Sequence, residues 1–152
     1  MQKKFMLSAI KKTKEGIKNK QAPFGACIVK NNKIISCKHN TVWKDKNIIK
    51  HAEINAIEDA CKKLKTIKLT GCIIYSTCEP CPLCFSACHW VNIKEIIYGA
   101  SIKDAKKLGF HELTISNKKM KILGKSKIKL TNGFMKKECN ELFRNWKNKK
   151  VY

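Results

Sequence analysis

Thr77-Cys78-Glu79-Pro80-Cys81-Pro82-Leu83-Cys84 is the stretch that decides how this chain reads. It follows an apolar run, Cys72-Ile73-Ile74-Tyr75-Ser76, which reads as a buried strand. A helix is predicted from Cys81 to Asn92. Cys81 and Cys84 therefore stand three apart at a helix start, with both sulfurs on one face. The positive end of the helix favours thiolate over thiol, and thiolate is the form that binds zinc. A C-x-x-C pair can also be a redox centre, but the intervening prolines and the rest of the chain do not suggest a thioredoxin-like setting.

A third ligand must come from elsewhere, and His51-Ala52-Glu53 supplies a candidate. His51 opens a predicted helix to Lys65, with Ile54, Ile57, Ala60, Cys61 and Leu64 at helical spacing. If both helices begin at the same edge of a sheet, the imidazole and the two sulfurs converge. His51, Cys81 and Cys84 would then bind one Zn2+ per chain and leave its fourth position to a catalytic water. Zinc lowers the pKa of such a water to about 7. Glu53 is the natural proton carrier beside it. On a regular helix, residues two apart do not share a face, so His51 and Glu53 must lie in an irregular first turn. A closed structural zinc site would need a fourth Cys or His at ligand spacing. The nearest spare thiols, Cys78 and Cys88, read as packing residues.

Upstream, a helix is predicted over Lys3–Lys18, with Phe5, Met6, Ala9, Ile10 and Ile17 as its apolar stripe. Ala22-Pro23-Phe24-Gly25 breaks it. Ala26–Val29 and Ile34–Cys37 read as strands, joined by Asn31-Asn32, which tolerates the positive φ of a tight hairpin. Asn40–Ile49 reads as a loop. Glu95–Gly99 is a further strand, Ala100–Leu123 is less regular, Ile128–Leu130 reads as a fifth strand, and Gly133–Lys147 as a last amphipathic helix. Alternating helices and strands imply parallel pairing through crossovers. The fold expected is α/β: a three-layer α/β/α sandwich around a five-stranded mixed sheet, one domain over 1–152.

Composition narrows the setting. Apolar residues make up 43% of the 152, as in globular proteins. No apolar run approaches the roughly 20 residues of a membrane helix, and Phe5–Ile10 is too short for a signal core. A cytoplasmic location without membrane contact is expected. Nine cysteines, an odd count, fit a metal site plus buried thiols better than a disulfide framework. Cys27, Cys37 and Cys72 are assigned to the core as small hydrophobes. The net charge of +22 attracts polyanions. However, Arg144 is the only arginine and lysine is spread evenly, whereas arginine is favoured for phosphate and base contacts. Compositional bias is preferred to a nucleic-acid partner.

H-A-E followed about thirty residues later by P-C-x-x-C, each opening a helix, is the known pattern of zinc deaminases. Over almost its full length the chain resembles the cytidine deaminase-like superfamily, and within it the bacterial guanine deaminases. The matching stretches are Pro23-Phe24-Gly25-Ala26, His39-Asn40, His51-Ala52-Glu53, Cys78–Cys84, Trp90, Gly109-Phe110 and the ending Asn148–Tyr152. The resemblance implies hydrolysis of guanine to xanthine and ammonia, a step of purine catabolism or salvage, with Glu53 catalytic. It also implies substrate contacts. Asn40 would hydrogen-bond the purine, Phe24 and Trp90 would form apolar walls, and the amide beside Ala52 would bind an exocyclic oxygen. Glu112 stands where the family usually carries an aspartate that aids purine binding and proton transfer. Tyr152 would close the pocket from the C-terminus, in its own subunit or across the interface of a homodimer.

The rival readings are a tRNA adenosine deaminase, a guanosine deaminase and a basic nucleic-acid-binding module with structural zinc. The first shares the zinc motifs and suits the charge, but Pro23-Phe24-Gly25 replaces its typical Pro-Val-Gly. The last leaves Glu53 without purpose.

Overall fold

Period-two alternation along the strands sorts apolar side chains into two layers. Ala26, Ile28, Ile74 and Ile96 pack on one side with Ala52, Ala56, Ile57, Ala60, Phe85 and Cys88. Cys27, Val29, Tyr75 and Ile97 pack on the other with Phe5, Met6, Ala9, Ile10, Leu142 and Phe143. The computed structural model describes residues 1–152 and contains α1 (Lys3–Lys18), β1 (Gly25–Lys30), β2 (Lys33–His39), α2 (Val42–Asp45), α3 (Ala52–Leu64), β3 (Ile73–Cys78), α4 (Pro82–Trp90), β4 (Glu95–Ala100), α5 (Ile102–Lys106), α6 (Asn117–Leu123), β5 (Lys129–Thr131) and α7 (Lys136–Asn145). α3 and α4 thus cover one face, and α1 and α7 the other. This is the expected three-layer sandwich.

The five strands lie in the order β2-β1-β3-β4-β5. β1 is antiparallel to β2 and β3, while β3–β4 and β4–β5 are parallel. The parallel pairs require crossovers, which α4 and the α5–α6 stretch provide. Asn31 and Asn32 turn the β1–β2 hairpin with φ of 46° and 63°. At Gly25, a Cβ would collide with Thr13 Oγ1 and stand 2.7 Å from the Ala9 carbonyl oxygen, so glycine lets α1 lie close against β1.

Three expectations are corrected. Cys27 and Cys37 are not separate core thiols. They face each other directly across β1 and β2, with Cα atoms 4.0 Å apart, and their sulfurs are joined. Direct cross-strand partners bring their Cβ atoms together, which reading each cysteine singly could not reveal. The Asn40–Ile49 loop contains α2, whose first turn is nucleated by Asn40 Oδ1 accepting from the Val42 amide at 3.1 Å. The last helix is shorter than predicted, because Met135, with φ of 55°, is its N-cap. No helix is long and apolar enough to cross a membrane.

Candidate active site

α3 and α4 begin in the same way. His51 is the N-cap of α3 with φ −65° and ψ 158°, and Cys81 is the N-cap of α4 with φ −65° and ψ 169°. Pro82 follows at the first helical position, where its fixed φ suits the helix and its missing N–H costs nothing. Both caps are extended and outside their helices, so their side chains turn back over the helix starts. That is how His51 and Glu53, only two apart, reach one site. His51 Nδ1 lies 3.6 Å from Cys81 Sγ and 3.5 Å from Cys84 Sγ. All three ligand atoms fall within 4.8 Å of one another. A tetrahedral zinc with ordinary bond lengths spaces nitrogen from sulfur by about 3.6 Å. The donor set therefore fits zinc.

The electrostatics fit it too. A hydrogen bond from Cys84 is the main cause that brings the Cys81 thiol down to about 4, against the cost of burial and with help from His51. Burial pushes the Cys84 thiol well above its ordinary value. Burial alone would pull the His51 imidazole down, but Cys81 and the carboxylates of Glu53 and Glu112 outweigh it and raise it. The cluster therefore holds one thiolate beside a proton-rich imidazole and thiol, and a cation that displaces those protons would replace them electrostatically. Glu53 is buried, and burial followed by the Cys81 charge raises its carboxyl.

Most of the sequence-predicted substrate residues gather over this cluster. Phe24, Asn40, Glu112 and Tyr152 line a cavity with His51, Glu53, Cys78, Glu79 and Cys81. Asn40 is fully buried, and its Nδ2 donates to the Tyr152 hydroxyl at 2.7 Å. The Tyr152 ring meets Phe110 edge-on at 5.1 Å and lies 5.7 Å from the His51 ring. Phe24 packs on Phe110 at 5.1 Å. Glu112 is raised to about 7, by burial first and then by the Cys81 charge. Ala52 is the first residue of α3, so its amide is one of the four that have no partner inside the helix. The space between them is about 20 Å³, room for one water.

Trp90 does not join them. It ends α4 with 74% of its surface exposed, beside Phe85, Ser86 and His89. α4 carries it roughly 13 Å along the axis from Cys81, so it cannot wall this cavity in the same chain. Two residues that reading the sequence missed do matter to the site. Ser76 Oγ donates to Glu53 Oε1 at 3.0 Å. Glu79 accepts from the Ile102 amide at 3.1 Å and from the Asn117 amide at 2.8 Å. Ser76 stands in step with Ile74 toward α3, but Tyr75 and Thr77 beside it also carry hydroxyls, so the strand's sequence does not single it out. Glu79 carries no local signal, because its partners lie 23 and 38 residues away.

Comparison with known proteins bears on this geometry. Residues 1–100 match the model of the cytidine and deoxycytidylate deaminase zinc-binding region. The chain belongs to that family. The deaminase is 43% identical over 90 residues to the guanine deaminase of Bacillus subtilis (strain 168), which covers 59% of this chain and 58% of that one. The match thus spans under two thirds of that relative. It is 33% identical over 147 residues to the tRNA-specific adenosine deaminase of Buchnera aphidicola subsp. Schizaphis graminum, covering 96% of this chain and 94% of the other. Among solved structures, a guanine deaminase from Nitrosomonas europaea superposes with a TM-score of 0.85 at 25% identity, over 93% of this chain and 82% of that one. The zinc-binding deaminase reading of His51, Cys81 and Cys84 is that of the family, and the expected superfamily is the one found.

Proposed function

We propose that this deaminase converts guanine and water to xanthine and ammonia. The observation that most supports this reading is the narrow cavity over Glu53, in which the Asn40 carboxamide donates to the Tyr152 hydroxyl of the same chain. A purine needs far more than about 20 Å³, but a cleft of about 280 Å³ adjoins at His51, Cys81, Glu112 and Tyr152, and a shift of Tyr152 would join the two. Tyr152 can then close again over a free base. A base still joined to a polynucleotide would keep Tyr152 displaced. When bound by His51, Cys81 and Cys84, zinc supplies a water acidified to near neutrality. Glu53 would carry a proton to the ring nitrogen and the departing amine. Asn40 and the Ala52 amide bind the purine edge, Phe24 packs on its face, and Glu112 binds a ring N–H. One domain over 1–152 acting as a homodimer completes the reading, and analytical ultracentrifugation tests the assembly.

A second reading, conversion of adenosine to inosine in tRNA, is favoured by one finding: similarity to the Buchnera tRNA-specific enzyme runs along 96% of this chain. The charge of +22 suits it. Ammonia release by the zinc-loaded protein from guanine, guanosine and adenosine-containing tRNA separates the readings. Activity on guanine supports the first. Activity on tRNA without activity on guanine overturns it.

A further inference from the structure

Glu53 is anchored from below. Its carboxylate is buried, with only 6% of the residue exposed, and its two oxygens face different groups. Oε1 accepts the Ser76 hydroxyl at 3.0 Å, and Oε2 lies 3.5 Å from Cys84 Sγ, inside the metal-ligand cluster. Ser76 is itself 2% exposed and sits on β3, where ladder hydrogen bonds to β1 and β4 fix the backbone. A glutamate side chain has three rotatable bonds, and its last torsion is broad. With one oxygen tied to the sheet, the other has one place to be. We infer that Ser76 is the positioning residue for the proton carrier: it clamps one oxygen of Glu53 so that the other is held toward the reacting atoms. The inference rests on Glu53 carrying the proton, and it holds for any base this chain deaminates.

The alternative is that Ser76 merely fills β3 and satisfies its own hydroxyl. Three substitutions separate the two. Ser76→Ala removes the hydroxyl without adding bulk. Ser76→Thr keeps it, and Ser76→Val has the shape of threonine without the donor. Each is loaded with zinc, its metal content is measured, and xanthine binding is followed by calorimetry alongside kcat and KM for guanine. If the wild-type protein releases ammonia only from tRNA, kinetics are read on that substrate. Ser76→Ala and Ser76→Val should lose tenfold to a hundredfold in kcat, on the order expected when a reacting group is misplaced. KM, zinc content and xanthine affinity should stay within about twofold, as expected if ground-state contacts are untouched, and Ser76→Thr should recover most of kcat. Wild-type kcat in Ser76→Ala overturns the inference, as does equal kcat in the Thr and Val proteins. Glu53→Gln distinguishes this failure from that of the underlying reading: if it keeps zinc and remains active, Glu53 is not the proton carrier.

Discussion

His51, Glu53, Cys81 and Cys84 hang from two helix starts packed on the central strands, whereas Glu112 and Tyr152 reach the same cavity from coil, with Phe110 behind Tyr152. The floor is fixed close to the backbone: the Asn55 amide donates to the His51 carbonyl at 2.9 Å, and its Nδ2 donates to the His39 carbonyl at 3.0 Å and Thr41 Oγ1 at 2.9 Å, tying the loop before His51 to α3. The cover is fixed mainly by side chains. Glu79 holds the two ends of the 102–117 segment, and Tyr152 is held by its hydroxyl on Asn40 and by its carbonyl oxygen, which accepts from His111 at 3.3 Å. Floor and cover should therefore fail differently. Damage to the floor should abolish chemistry or metal binding. Damage to the cover should loosen the hold on substrate and spare both.

The largest effect belongs to Glu53→Gln. Removal of a general acid–base group costs about 10²–10⁴-fold, so kcat should fall by roughly 10³ with zinc content unchanged, as read by steady-state ammonia release and metal analysis. Loss of zinc in that variant would mean that the carboxylate also holds the metal, which would erase the division between ligand set and proton carrier.

Metal affinity tests the floor by pH. Burial holds the Cys84 thiol well above its ordinary value, so the metal-free chain carries that proton at neutral pH. Zinc binding must expel it. Each unit of acidification should thus weaken apparent affinity by about tenfold. His51, raised on balance by Cys81 and its carboxylate neighbours against burial, should add a second proton and steepen the slope at lower pH. Competition with a chelator between pH 6 and 8 measures this. An affinity flat across that range would show that the thiols enter already deprotonated.

The same division explains what could be read from the sequence. H-A-E and P-C-x-x-C are local patterns, each within one helix start, and the apolar periods of α1, α3, β3 and β4 are local too. They place the sheet, the layers and the metal ligands. What escaped was set by distant pairings. Cys27 and Cys37 become partners only through hairpin register. Ser76 acquires a role only because β3 passes under α3. Trp90 matched the resemblance by position, yet the direction of α4 carries it to the surface. Glu79 lies inside the most legible motif of all, but its two partners are backbone amides, which every sequence has everywhere.

Glu79→Gln is the first test of the cover. The carboxylate accepts two amides with two oxygens, whereas glutamine offers one acceptor and turns an NH₂ toward the other amide. An unsatisfied buried group costs about 1–3 kcal/mol. The variant should lose several degrees in melting temperature. Freed from Ile102 or Asn117, the segment bearing Glu112 should bind guanine more weakly, with KM raised by about tenfold, zinc unchanged and kcat reduced less than KM is raised. A fall in zinc content instead would mean that Glu79 chiefly orders Cys81 two residues on.

Tyr152→Phe should have the smallest effect. It removes only the hydroxyl that accepts from Asn40 Nδ2 at 2.7 Å, and leaves the ring against Phe110 and His51. A hydrogen bond of this kind contributes about 0.5–1.5 kcal/mol, which corresponds to a few-fold to tenfold change. Its sign is informative. In the closed, substrate-free form the hydroxyl competes with the purine for Asn40, so its loss should free that carboxamide and lower KM. If the hydroxyl instead turns to the purine once the base is seated, its loss should raise KM. A shift in either direction with kcat and zinc unchanged keeps Tyr152 in the cover. A loss of kcat equal to that of Glu53→Gln would place the hydroxyl among the groups that handle protons, and the cover would then belong to the chemistry of the floor.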